Sequence, residues 1–339
     1  MTGAQINGLY DAVSPVVGTE AVERNTAVRA AFGKVLVKVT GNRRVASRKA
    51  LAADSKNASR YVQQYRYQVL SGTDNRDQPG RQLKVSFDKN ELDRLLQSRG
   101  LPVWSANRPS VLVWLGLESK RKRRLMNPEI DADLRLVLEQ VAAERGIPLV
   151  LPLMDLEDQG QMQVADLWGN FESNIRTASR RYAPELILTG SLVRVNKGRW
   201  RGEWQLYYAD SQSHWSAEAD SRISLTADAL QRTGDHLANR FAPLKEERSL
   251  STVRLRVAGI EQLSDYASVL ELLSAQNFLE RVVVVSVAPD VVIYDLHGQG
   301  GVTALERGLG IGGLIESDPG AAFQPEASAA LVDLFYRMR

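Results

Sequence analysis

The sequence predicts an α+β protein made of three small mixed α/β domains, and three observations carry that prediction. At 339 residues the chain exceeds what one ordinary core accommodates and suits two or three domains. Strand-length apolar runs alternate along it with segments of helical periodicity. Two polar, proline-bearing breaks, at 102–109 and 243–250, divide the pattern into 1–106, 107–244 and 245–339.

In the first stretch Ala21, Val28, Ala31, Phe32, Val35, Leu36 and Val39 recur at three-to-four spacing, which predicts an amphipathic helix ending near Gly41. Tyr61 to Leu70 and Arg81 to Phe87 read as strands around a turn rich in Gly, Asp and Pro, Gly72 to Gly80. Asp88 with Glu91 forms a capping box opening a helix that carries Leu92, Leu95 and Leu96.

The middle stretch reads strand (Val111–Leu117), helix (Asp131–Arg145), strand (Leu149–Leu151), helix (Phe171–Tyr182) and strand (Leu186–Val195). Two strand–helix–strand units require parallel pairing with right-handed crossovers. The hairpin Trp200–Tyr208 with His214–Ser221 adds an antiparallel edge, and a helix, Ala227–Phe241, closes the stretch. Beyond the charged link Pro243–Leu250 the order is strand (Val253–Ala258), helix (Glu261–Ser274), strand (Val282–Ala288), strand (Val291–Leu296), helix (Val302–Arg307) and a short strand near Ile315. That βαββαβ order predicts a ferredoxin-like domain, with Ala327–Tyr336 as a terminal helix.

Composition narrows the function. Apolar residues at 44% and charged residues at 24% are enough for packed cores and argue against a disordered chain. No apolar run reaches the roughly 18 residues a membrane helix needs. The chain has no cysteine, so disulfides, thiolate metal sites and a cysteine nucleophile are all excluded. A net charge of +3, from 43 basic and 40 acidic residues, is a small imbalance on a mixed surface and gives no reason to expect a nucleic-acid partner. The opening Thr2-Gly3-Ala4-Gln5-Ile6-Asn7 has neither a charged n-region nor an apolar h-region, so the expectation is a cytoplasmic protein or one whose signal peptide has been removed.

Four groups of motifs resemble a known family: Tyr10-Asp11-Ala12-Val13; Arg24-Asn25 with the run Val35 to Gly41; Tyr61-Val62-Gln63-Gln64-Tyr65; and Leu101-Pro102-Val103-Trp104 with Arg108-Pro109. Together they resemble a bacterial envelope family known only as domain of unknown function 2066. The resemblance implies a periplasmic protein made with a signal peptide, and it brings no activity. In element order the N-terminal stretch is similar to the first domain of the flagellar T-ring assembly protein. The middle stretch is similar to the lipoprotein activators of penicillin-binding proteins and to the N-terminal domain of the Tol-system propeller protein. All of these are interaction modules, so the similarity implies a non-catalytic role.

Two surface features stand out as candidates. The run Lys120-Arg121-Lys122-Arg123-Arg124 concentrates positive charge after a strand and could hold phosphates of lipid headgroups, lipopolysaccharide or nucleic acid, or it could be a solvated loop. Trp200 and Trp204 fall on one face of a strand and could stack on sugar rings if exposed, or be core if buried. The Gly308-x-Gly310-x-Gly312-Gly313 stretch follows a helix instead of a strand, which fits a helix cap better than a dinucleotide loop. His214, His236 and His297 lack metal-ligand spacing. No nucleophile elbow or P-loop is present, and Asp155, Glu157 and Asp158 read as a loop.

The expectation is therefore a non-catalytic periplasmic scaffold or adaptor without cofactor or metal. It would act on envelope proteins or as a homo-oligomer, with no transmembrane segment. A module for glycan, peptidoglycan or anionic lipid is the alternative.

Overall fold

Alternating helices and strands along the chain build four sheets among the described residues of the computed structural model, of two, six, five and three strands. It describes residues 4–69, 81–120, 122–196, 198–208, 211–241, 250–276, 279–299, 301–309, 313–323 and 332–339. The predicted turn at 72–80 and most of the predicted link at 243–250 lie outside them.

The N-terminal stretch runs β1 (Ala4–Gln5), β2 (Asp11–Val16), α1 (Ala21–Thr40), α2 (Ala52–Lys56), β3 (Val62–Val69), β4 (Arg81–Phe87) and α3 (Lys89–Ser98). β4 pairs antiparallel with β2 on one side and β3 on the other. The periodic apolar residues of α1 are buried from Val28 onward, while Ala21 is exposed, and Phe32 packs against Tyr61 and Phe87 at ring separations of 5.5 and 5.6 Å. Gly41, at φ 69°, ends the helix in the left-handed region, and its N–H returns to the Val37 carbonyl. The Asp88 carboxylate accepts from the Glu91 N–H and caps α3 as the sequence predicts.

The middle stretch runs β5 (Asn107–Arg108), β6 (Val111–Ser119), β7 (Lys122–Leu125), α4 (Ala132–Arg145), β8 (Leu149–Val150), α5 (Leu156–Gln161), α6 (Val164–Gly169), α7 (Glu172–Ser179), β9 (Leu186–Asn196), β10 (Arg199–Tyr208), β11 (Ser211–Ala219) and α8 (Arg222–Phe241). The sheet order is β11-β10-β9-β6-β7, with β8 also on β6. β6 is parallel to both β8 and β9, as the two crossover units require, and β10 and β11 are antiparallel. Val111 to Leu117 of β6 is an apolar run interrupted only by Gly116, and all seven positions are buried. Glu157 and Asp158, read from sequence as a loop, lie in α5, and α6 follows it. Asp155 is the residue that starts α5, its carboxylate accepting from the Asp158 N–H.

The C-terminal stretch runs β12 (Leu250–Ala258), α9 (Leu263–Ser274), β13 (Leu279–Ala288), β14 (Val291–Gln299), α10 (Gly301–Leu309), β15 (Ile315–Ser317) and β16 (Leu334–Met338). Its sheet order is β13-β14-β12-β16-β15. The first three strands follow the ferredoxin-like order, but a different strand closes the sheet. β16 lies beside β12 in parallel, and the short β15 is displaced to the outside. The predicted terminal helix is thus corrected over 334–336, while 327–331 fall outside the described residues. Leu334 and Tyr336 are buried and Arg337 is exposed, an alternation of period two that suits a strand.

By contact the chain falls into two compact units. One is built on Asn107–His236, and the other joins Ile6–Ala106 to the stretches that begin at Leu237 and Ile315. Within the second unit the Ser105 hydroxyl donates to the Ala275 carbonyl at 2.8 Å.

Candidate interaction surface

The basic run is not a loose loop. Lys120 sits at the tip of the β6–β7 hairpin with φ 51°, and Lys122, Arg123 and Arg124 lie on β7 itself. Arg121 lies outside the described residues. Arg123 bonds Glu118 across the hairpin at 2.7 Å and lies over the Trp168 ring at 4.9 Å. Arg124 makes a two-pronged contact with Asp131, both bonds at 2.7 Å, and Asp131 is only 3% exposed. Arg222 reaches the same carboxylate at 3.5 Å. Burial pushes the Asp131 carboxyl up, but the bonds from Arg124 and the Asn127 N–H outweigh it and hold the group below the ordinary carboxylate range. Two of the five cations are therefore committed to the fold.

The tryptophan reading also changes. Trp204 is 1% exposed and belongs to the core, whereas Trp200 is half-buried. The Trp204 indole lies across two glycines. A Cβ on Gly190, directly opposite on β9, would come within 2.3 Å of the ring, and one on Gly202 within 2.7 Å of its nitrogen. Gly116 seats Trp168 in the same way, at 2.2 Å. The Trp114 indole donates to the Ser179 hydroxyl at 3.1 Å, and Trp215 stacks on His236 at 6.0 Å. Trp114, Trp168 and Trp215 thus tie this sheet to its helices, and Trp204 packs within the sheet.

A second polar cluster surrounds Met154, which adopts φ 56°. The buried Asp158 carboxylate accepts from the Met154 N–H at 2.7 Å, the Tyr182 hydroxyl at 2.6 Å and Arg181 at 3.2 Å. Burial and the bond to Asp158 push the Tyr182 hydroxyl up to about 12, and the Arg181 contact holds Asp155 down to about 2. Every partner of Asp158 here is a donor that fixes the backbone turn, so the cluster acts as a clamp on residues 153–158. His214 lies 3.4 Å from Glu203, and His297 bonds Thr252 at 3.0 Å. Among the described residues no three His, Asp or Glu side chains gather as a metal-holding group. Gly308 lies in α10 and Gly313 has φ 61°, while Gly310 and Gly312 fall outside the described residues.

Sheet edges offer the more informative surface. A strand at an edge exposes unpaired amides and carbonyls, and chains usually blunt such edges with lysine, proline or brevity. On the outer side of β2, Lys34 donates to the Val13 carbonyl at 2.7 Å and Lys38 to the Asp11 carbonyl at 2.8 Å. Pro15 removes a donor from the same strand. β7 is four residues long and carries Lys122, Arg123 and Arg124, and β15 has three residues. β11 has none of these devices. It runs nine residues, pairs with β10 in unbroken register from Trp200↔Ala219 to Tyr208↔Ser211, and contains no Lys, Arg or Pro. β13 is blunted only in part: it has register irregularities against β14 at 279/281 and 284/286, but after Glu280 and Arg281 it continues Val-Val-Val-Val-Ser-Val-Ala without a charge. The sequence signal for this difference was the i, i+4 pair Lys34 and Lys38 beside a strand containing Pro15, set against a valine run flanked by charge on one side only.

Residues 3–105 match a family described as Domain of unknown function (DUF8605), which replaces the family 2066 expected from the sequence. No curated protein matches the chain. Among solved structures, the N-terminal domain of protein Y from Thermus thermophilus is 10% identical with a TM-score of 0.20, over 39% of this chain and 97% of that one. The C-terminal domain of LpoB from Salmonella enterica is 15% identical with a TM-score of 0.21, over 38% of this chain and 90% of that one. Scores this low carry no argument about function, and the unknown function of the matched family agrees with the absence of an assigned activity in the sequence reading.

Proposed function

We propose that this chain is a non-catalytic scaffold or adaptor of the bacterial periplasm that binds partner proteins by accepting a strand at the outer edge of β11. The observation that carries the reading is that edge: nine residues, unbulged and free of cations. The mode has a general physical basis, since backbone hydrogen bonds supply affinity and alternate side chains supply selectivity. Gln212, His214, Ser216 and Glu218 alternate along the strand and are exposed, while Trp215 is held against His236. The cysteine-free composition supports a periplasmic setting. The polar clusters support a non-catalytic role, because hydrogen bonds that shape the backbone account for them.

The test replaces Gln212 and Ser216 together by Lys, the device the chain itself uses at β7. In cells carrying a photo-crosslinking residue at position 214, the parent should yield a discrete adduct with one envelope protein, and Gln212→Lys with Ser216→Lys should abolish it. An adduct of undiminished yield in that variant would exclude strand addition at β11. The glycan or anionic-lipid alternative keeps Lys120, Lys122 and the half-buried Trp200, but it loses Arg123, Arg124 and Trp204 to internal contacts.

A further inference from the structure

The helix-covered face of the C-terminal sheet carries apolar rows that cross from strand to strand, and they are finished at only one end. Leu255 pairs with Tyr294, which pairs with Val284, and Val257 pairs with Val292, which pairs with Val287. At the β16 end the same rows close on Leu334 and Tyr336, both buried. Leu255, Tyr294, Val257 and Val292 are all buried to within 1%. At the β13 end burial fails: Val284 is half-buried and Val287 is 68% exposed. Val285, the residue skipped by the register with β14, is 45% exposed. A core row that runs out into solvent at an unprotected edge lacks a neighbouring strand.

We infer that the missing neighbour is β13 of a second copy, added antiparallel about a two-fold axis through Val283. The run itself argues for a copy of this chain. Between the register shifts at 279/281 and 284/286 lies Arg281-Val282-Val283-Val284. An antiparallel join centred on Val283 sets Val282 of one copy opposite Val284 of the other, both on the helix-covered face, and Val283 opposite itself. Each copy's Glu280 and Arg281 fall at opposite ends of the join, so no like charges meet, and the overall charge of +3 adds little repulsion. Such a join is isologous and closes, because each β13 is used once and β15 ends the sheet on the far side. A foreign strand would need to match this valine register by chance. This inference concerns a different edge from β11 and stands or falls without that reading.

The chain's lack of cysteine makes the test direct. Opposed residues of an antiparallel pair have Cβ atoms about 4.5–5.5 Å apart, close to the range a disulfide spans. Val283→Cys should therefore form a disulfide-linked dimer under mild oxidation, while Ser216→Cys on β11, which is more exposed to oxidant, should form no covalent dimer. By analytical ultracentrifugation the parent should be dimeric, and Val283→Lys, which opposes two ammonium groups across the axis, should weaken the dimer on the order of 100-fold. The thermal midpoint of that variant under dilute conditions reports whether it folds. A parent that stays monomeric at high concentration, or a dimer unaffected by Val283→Lys, would overturn the inference. If Val283→Lys fails to fold, the cysteine pair decides: no selective linkage at 283 counts against the join. Monomeric behaviour with an intact adduct at position 214 would sink this inference and leave the β11 reading in place.

Discussion

The outer edges of β2 and β13 present the same unpaired backbone groups and differ in what stands beside them. Along β2, two lysines one helical turn apart on α1 fold over the strand and take its carbonyls, and Pro15 withholds an amide. Along β13, beyond Arg281, only Ser286 interrupts the apolar side chains, with Val282 to Val284 half-buried and Val285 and Val287 exposed. The β7 and β11 ends of the middle sheet show the same contrast: one is short and cationic, the other long and neutral but for Glu218, which Arg199 and Arg201 hold. Closing an edge requires specific residues in specific places, and the chain places them at some edges and omits them at others. On the two proposals above, the omission marks where association is accommodated.

The contrast can be broken or sharpened by substitution. The largest effect is expected from Gly190→Val, which drives a side chain into the Trp204 ring and should remove about 3 kcal/mol or more of stability by chemical denaturation, taking the β11 edge with it. A loss below roughly 0.5 kcal/mol would show that this seat does not hold the edge.

Arg124→Ala comes next. It strips the main partner from a nearly buried carboxylate and should cost about 2 kcal/mol in urea unfolding. Because Asp131 is held below its unfolded value, its contribution is full above about pH 4 and fades as the pH falls through the lower folded value. The parent should therefore lose stability on acidification, and the variant should lose less of it. Equal acid sensitivity in the two would place the effect elsewhere.

Lys34→Met combined with Lys38→Met should cost only about 1 kcal/mol but expose the β2 carbonyls, so new self-association should appear in sedimentation. No change in sedimentation would show that the lysines are not what keeps this edge single. The smallest change is expected from the paired Gln212→Lys and Ser216→Lys variant, within about 0.5 kcal/mol of the parent by thermal unfolding, since both positions are exposed.

Many helix and strand identities were legible from the spacing of buried apolar residues. The apolar spacing of α1, its end at Gly41 and the cap at Asp88 are local signals, and all three appear as read. The parallel pairing of β6 with β8 and β9 followed from crossover geometry. The last strand was not legible, because Leu334 to Met338 acquires its period of two only by lying between β12 and β15, partners far away in sequence. The candidate residues were legible as chemistry but not as exposure. Charge density at 120–124 says nothing of Asp131 waiting beneath it, and strand alternation puts Trp200 and Trp204 on one face without saying which is covered.

Gly190 beneath Trp204 and Gly116 beneath Trp168 also constrain how this sequence can change. A mutation enlarging either glycine first meets a ring already in the way. One shrinking the indole first opens a void that nothing yet fills. Each pair behaves like a ratchet, in which no single step leads downhill and a lineage that leaves the arrangement must cross a poorly packed intermediate. Drift should accumulate freely at exposed positions of β3 and stall at these two couples.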